Sequence, residues 1–85
     1  MEKSLSSKEY KVLVQLLRSA RKSVGVTQVE LAERLDVVQS FVSSCECGQR
    51  RLDMVEARRW CQALGVSFSA FATTFDEKAG RPRKR

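Results

Sequence analysis

Apolar side chains recur along this chain in steps of three and four, and nowhere alternate long enough to suggest a strand. Tyr10, Leu13, Leu17, Ala20 and Val24 keep helical spacing, and Leu16 widens their stripe. Ser6 as cap, Glu9 three residues on, and Leu5 opposite Tyr10 mark the entry of a helix from about Ser7 to Ser23 that stops at Gly25. A second entry repeats the device, with Thr27 and Glu30 as a capping box and Val26 and Leu31 as its staple. Leu31, Ala32 and Leu35 then share one face, up to a break at Asp36 and Val37. QSFVSSCEC predicts a third helix ending before Gly48. Asp53 with Glu56 opens a fourth, aligning Met54, Ala57, Trp60, Cys61 and Leu64 up to Gly65. Ser67 caps a fifth, with Phe68, Phe71, Ala72 and Phe75 at helical spacing. The prediction is an all-α fold of five short helices on one core.

Length and composition bound what such a fold can be. At 85 residues the chain has room for one domain. A domain of that size buries only about 60% of the surface its unfolded chain exposes, so the core must be efficient. Its 42% apolar content is too high for a disordered protein. No apolar run is long enough to cross a membrane, and Met1 to Ser7 lacks the apolar stretch of a leader, so a small, soluble, cytoplasmic domain is expected. The formal charge of +6 is concentrated at one end. Lys78, Arg81, Arg83, Lys84 and Arg85 fall in residues 78–85 without an acid, which leaves 11 basic against 10 acidic residues in 1–77. Residues 1–77 therefore read as the folded domain. Residues 78–85 read as a basic tail whose composition predicts disorder, either solvated or laid against phosphates. Cys45, Cys47 and Cys61 are odd in number, and there is no His, so neither a closed disulfide set nor a structural metal site is expected.

The third predicted helix has an outer face unlike an ordinary solvated one. At about 100° per residue, Gln39, Ser40, Ser43, Ser44 and Cys47 share a side, while Val42 and Cys45 point to the core. Short uncharged side chains permit close approach to another surface, and Gln pairs in bidentate fashion with adenine N6 and N7.

The segment TQVELAERLDVVQSFVSSCECGQRRLD resembles the helix-turn-helix of the Cro/phage-repressor (XRE) family, at Thr27, Gln28, Leu31, Ala32, Leu35, Val37, Ser40, Val42, Ser43, Glu46 and Gly48. Arg21, Gly25 and ALGVS at 63–67 extend the likeness over roughly residues 10–72. It implies a compact five-helix, lambda-repressor-like domain, usually a dimer, with the helix-turn-helix proper at 27–47 and helix three (about 38–47) in the major groove of double-stranded DNA. Asp36 stands where the family has Gly in a left-handed turn, and Val38 where Ser or Thr often caps helix three; each departure costs about 1 kcal/mol.

Site residues follow as expectations. Gln39, Ser40, Ser43 and Ser44 contact base edges, while Gln28, Arg50 and Arg51 contact phosphate. The resemblance implies an ion pair of Arg21 with Glu46, with phosphate contact a second role for Arg21. Phe41 either covers the junction with helix two or touches a thymine methyl. Phe68, Phe71 and Phe75 form either core or a dimer interface. AGRPRKR, with Arg81, Arg83, Lys84 and Arg85, serves either as a nonspecific electrostatic arm or as a minor-groove element similar to an AT-hook. Without His, nucleophile elbow or phosphate-binding loop, no enzyme, cofactor or small-molecule ligand is expected. The function expected is a sequence-specific, repressing transcriptional regulator. The alternative is an antitoxin or anti-repressor that uses the same fold to hold a partner protein.

Overall fold

The computed structural model describes residues 7–80. They form α1 (Lys8–Ser23), α2 (Gln28–Leu35), α3 (Gln39–Cys47), α4 (Met54–Leu64) and α5 (Phe68–Ala79). Local chemistry sets most of these boundaries. Thr27 and Glu30 exchange side-chain and backbone hydrogen bonds at the start of α2, and Asp53 and Glu56 do the same for α4. Ser67 accepts from the Ala70 amide to open α5.

Four departures from the sequence pattern have local causes. The cap of α1 is Ser7, whose hydroxyl accepts from the Tyr10 amide at 3.0 Å; Ser6 and Leu5 lie outside the described residues. Val24 keeps helical spacing in sequence but sits at the α1 C-cap, where the chain leaves the helix, and is exposed. Met54 is 75% exposed because the first turn of α4 projects beyond the core, which takes only Ala57, Trp60, Cys61 and Leu64 from that helix. At the other end α5 continues through Ala79, so Lys78, assigned to the tail on charge, belongs to a helix. Arg81, Arg83, Lys84 and Arg85 lie outside the described residues.

The core gathers Leu17 of α1, Leu31 and Ala32 of α2, Val42 and Cys45 of α3, and Trp60 and Leu64 of α4. Trp60 is its largest member, and its ring N–H donates to the Leu17 carbonyl at 3.2 Å, joining α4 to α1. The α1 face packs against α3, α4 and α5, while α2 packs against α3 and α4. No residue of α5 is fully buried, although Phe71 rests on the central cluster. Helix α5 thus supports the four-helix core from outside.

The turn joining α2 to α3 fixes the pose of α3. Asp36 adopts the left-handed conformation (φ 60°, ψ 46°), and its N–H returns to the carbonyls of Ala32 and Glu33. Val37 N–H bonds the Ala32 carbonyl at 2.9 Å. Val38 is the N-cap of α3 with no side-chain hydrogen bond, so that end of α3 keeps its first amides uncapped by a side chain.

Candidate nucleic-acid interface

Two helix N-termini meet on one side of the molecule. Gln28 is the first residue of α2 and Gln39 the first of α3, and their side-chain amides touch. Gln39 Nε2 donates to Gln28 Oε1 at 3.1 Å, and Gln28 Nε2 donates to Glu46 Oε1 at 3.0 Å. Glu46 in turn takes Arg21 Nε on Oε2 at 2.6 Å and Arg21 Nη2 on Oε1 at 2.9 Å. Arg21 Nη1 completes the set by donating to the Val26 carbonyl at 2.8 Å. One hydrogen-bonded line therefore runs from the interior of the α1–α3 contact to the outward end of α3.

The inner part of that line is sheltered and the outer part is wet. Arg21 is 7% exposed and Glu46 6%, whereas Gln28 is half-buried and Gln39 exposed. Burial alone would raise the Glu46 pKa. The hydrogen bonds from Arg21 and Gln28, with the positive charges of Arg21 and Arg18, outweigh it and hold the carboxyl below its ordinary value. Ionised, that carboxylate only accepts hydrogen bonds. A shallow groove lined by Lys22, Val26, Thr27, Gln28, Val29 and Gln39 opens beside it.

The predicted base-contacting residues divide by exposure. Ser40 and Cys47 are exposed with Gln39, while Ser43 and Ser44 are half-buried further along α3. Val42 and Cys45 face the core, and burial pushes the Cys45 thiol up to about 11. The phosphate candidates are placed differently. Arg21 spends donors on Glu46 and Val26 inside the fold. Gln28 has both ends of its amide engaged, so the free N–H groups at the start of α2 are better placed for an anion than its side chain is. Arg50 is exposed but forked onto Glu56, with Nη2 to Oε2 at 2.8 Å and Nη1 to Oε1 at 3.2 Å, and it lies 4.9 Å from the Phe41 ring centre. Phe41 is half-buried against the core beneath that guanidinium. Arg51 is exposed over the Tyr10 ring, 4.5 Å from its centre. Phe68, Phe71 and Phe75 are all half-buried on α5.

A helix-turn-helix domain model matches residues 12–71, well over half of the chain. The chain belongs to the XRE-type helix-turn-helix family. It is 37% identical to an XRE-family like protein from Pseudomonas syringae pv. tomato, with a TM-score of 0.82 over 93% of this chain and 96% of that one. The clp gene regulator ClgR of Corynebacterium glutamicum superposes with a TM-score of 0.76 at 28% identity, covering 89% of this chain and 99% of that one. An uncharacterized HTH-type transcriptional regulator of Methanothermobacter thermautotrophicus is 40% identical over 50 residues, which are 59% of this chain and 72% of that relative. Another from Sinorhizobium fredii is 37% identical over 57 residues, 67% of this chain and 74% of the relative. The XRE-type protein is accordingly a DNA-binding transcriptional regulator. Among its described residues no helix is long and apolar enough to cross a membrane.

One feature of the interface escaped the sequence pattern. Gln28 and Gln39 were each legible as first residues of a helix, but their contact, and its link to Glu46, depends on how α2 and α3 pack. The available signal was that each is an amide at the first position of one of two consecutive helices.

Proposed function

We propose that this regulator binds a specific double-stranded DNA sequence as a homodimer, with α3 in the major groove, and represses transcription by occupancy in the cytoplasm without enzymatic activity. The observation that carries the reading is the outward end of α3, where Gln39 and Ser40 project from a tight turn beside the N-terminus of α2. Base edges meet Gln39 and Ser40 first, with Ser43 and Ser44 deeper along the helix. The amides opening α2, together with Lys22, Arg51 and an Arg50 that can leave Glu56 for a phosphate, supply backbone contacts. A two-fold dimer would set two α3 helices about 34 Å apart, one turn of duplex.

Selection from random duplex DNA at two salt concentrations tests this. A single palindromic preference is expected, and Gln39→Ala should lose about 1–3 kcal/mol there and relax one base pair. Equal weakening by Gln39→Ala on selected and random DNA overturns its base-reading role. Truncation after Gly80 should weaken binding to every duplex and reduce the salt slope if Arg81, Arg83, Lys84 and Arg85 act as an electrostatic arm. A loss confined to A/T-flanked sites assigns those residues to the minor groove instead.

A further inference from the structure

Tyr10 keeps the helical spacing of the α1 stripe and is buried, but its hydroxyl reaches the segment that joins α3 to α4. A buried tyrosine brings a polar tip that needs partners. The joining segment is secured at both ends by its own helices. The Gln49 and Arg50 amides return to the Ser44 carbonyl at 2.9 and 3.2 Å, and Asp53 caps α4. Between them, Arg51 and Leu52 lie beyond the ladder of either helix. Tyr10 fills the gap. Its hydroxyl donates to the Arg50 carbonyl at 3.4 Å and accepts from the Leu52 amide at 3.2 Å. Arg51 is thereby held on both sides, and its guanidinium lies over the Tyr10 ring, 4.5 Å from the centre. One side chain sets both the backbone and the cation of Arg51.

We infer that Tyr10 is a positioning residue for DNA binding, one that presents Arg51 to a phosphate of the duplex. This rests on Arg51 contacting the DNA backbone. The two arginines of the segment are held in different ways. Arg50 is forked onto Glu56, so its charge is answered within the fold. An aromatic face attracts a cation without consuming directed N–H groups, so Arg51 keeps its fork for an anion. An arginine ordered before DNA arrives spares the complex the entropy of ordering it then. The length of α3, roughly 12 Å, separates this contact from the amides that open α2. Backbone contacts thus stand at both ends of the helix that meets the bases. A phosphate contact carries no sequence information, so Tyr10 serves affinity and not base choice.

The test measures affinity for a selected duplex and for random duplex over a salt series, at a temperature where every variant is fully folded. Arg51→Gln should weaken both duplexes and lower the salt slope by about one. Tyr10→Phe keeps the ring and deletes the hydroxyl. It should weaken both duplexes by the same factor, about 2- to 10-fold, with the base preference unmoved. In Tyr10→Phe/Arg51→Gln the loss should fall short of the product of the two single losses, because both substitutions act on one contact. A merely structural Tyr10 would lower the Tm but leave the folded variant with wild-type affinity, or leave the two losses to multiply. Either result overturns the inference. In the free wild type, the Arg51 side-chain protons should also be shifted upfield by the Tyr10 ring. Unshifted protons overturn the inference even where Tyr10→Phe does not fold. Arg51→Gln without effect on either duplex overturns instead the phosphate contact on which it rests.

Discussion

Among the described residues Arg21 and Glu46 are the two buried charged side chains, and they satisfy each other. Among the described residues no buried side-chain nitrogen or oxygen lacks a hydrogen-bond partner. Removing one member strands the other, so Arg21→Met alone should cost about 3–5 kcal/mol in urea unfolding, and Arg21→Met/Glu46→Leu much less. Because Glu46 has a lowered pKa in the fold, its contribution is present above the ordinary carboxylate value and is lost as pH falls through the folded value. Glu46→Gln should flatten that acid limb of the stability profile. Cys45 behaves with the opposite sense. Its raised pKa keeps stability intact below about 9, and that share is lost as pH rises through about 11. Cys47 is exposed whereas Cys45 and Cys61 are buried, so a native chain should take up one alkylating label quickly and two more only on unfolding. Rapid triple labelling under native conditions would contradict that placement.

At the scale of the element, the weak point is the start of α3. Val38 leaves it without a side-chain cap and is itself 69% exposed. Val38→Thr should stabilise the domain by about 1 kcal/mol, seen as a Tm increase of roughly 4–8 °C. Asp36 holds a left-handed turn at φ 60°, so Asp36→Gly should add a gain of up to about 1 kcal/mol. A rise in stability with unchanged DNA affinity would show that these residues tune folding alone. The helix limits were legible because caps are local, each needing only residues within four positions. Helical spacing was a poorer guide at the ends, where Met54 and Val24 keep the period but fall beyond the reach of the core.

Across the whole molecule, α5 is the element with an unsettled second face. Phe71 packs on the central cluster, so Phe71→Glu should cost folding before it informs on assembly. Phe68 opens α5 half-buried, which makes Phe68→Glu the sharper substitution. If the wild type sediments as the proposed dimer, a folded Phe68→Glu monomer with weakened binding to a palindrome would place the contact on α5. A folded dimer would move it elsewhere, with the exposed Met54 and Val55 on α4 the next surface to substitute.

What residue order alone determined was most of what short range governs: five helices, the caps of α2, α4 and α5, and the outward end of α3 at Gln39 and Ser40, while the α1 cap fell on Ser7 rather than Ser6 and Asp36 and Val38 stood out only against the family pattern. These depend on hydrogen bonds and periodicities that span a turn or two. The charge excess was equally legible, because composition needs no fold. Tertiary structure alone decided which polar groups share partners. Arg50 on Glu56 and Phe41, Arg51 on Tyr10, and the link from Glu46 through Gln28 to Gln39 join residues on different segments, whereas the Arg21–Glu46 pair was already implied by the resemblance. Such contacts exist only after the Trp60 and Leu17 core has set α1, α2 and α3 at fixed angles, which no local rule encodes.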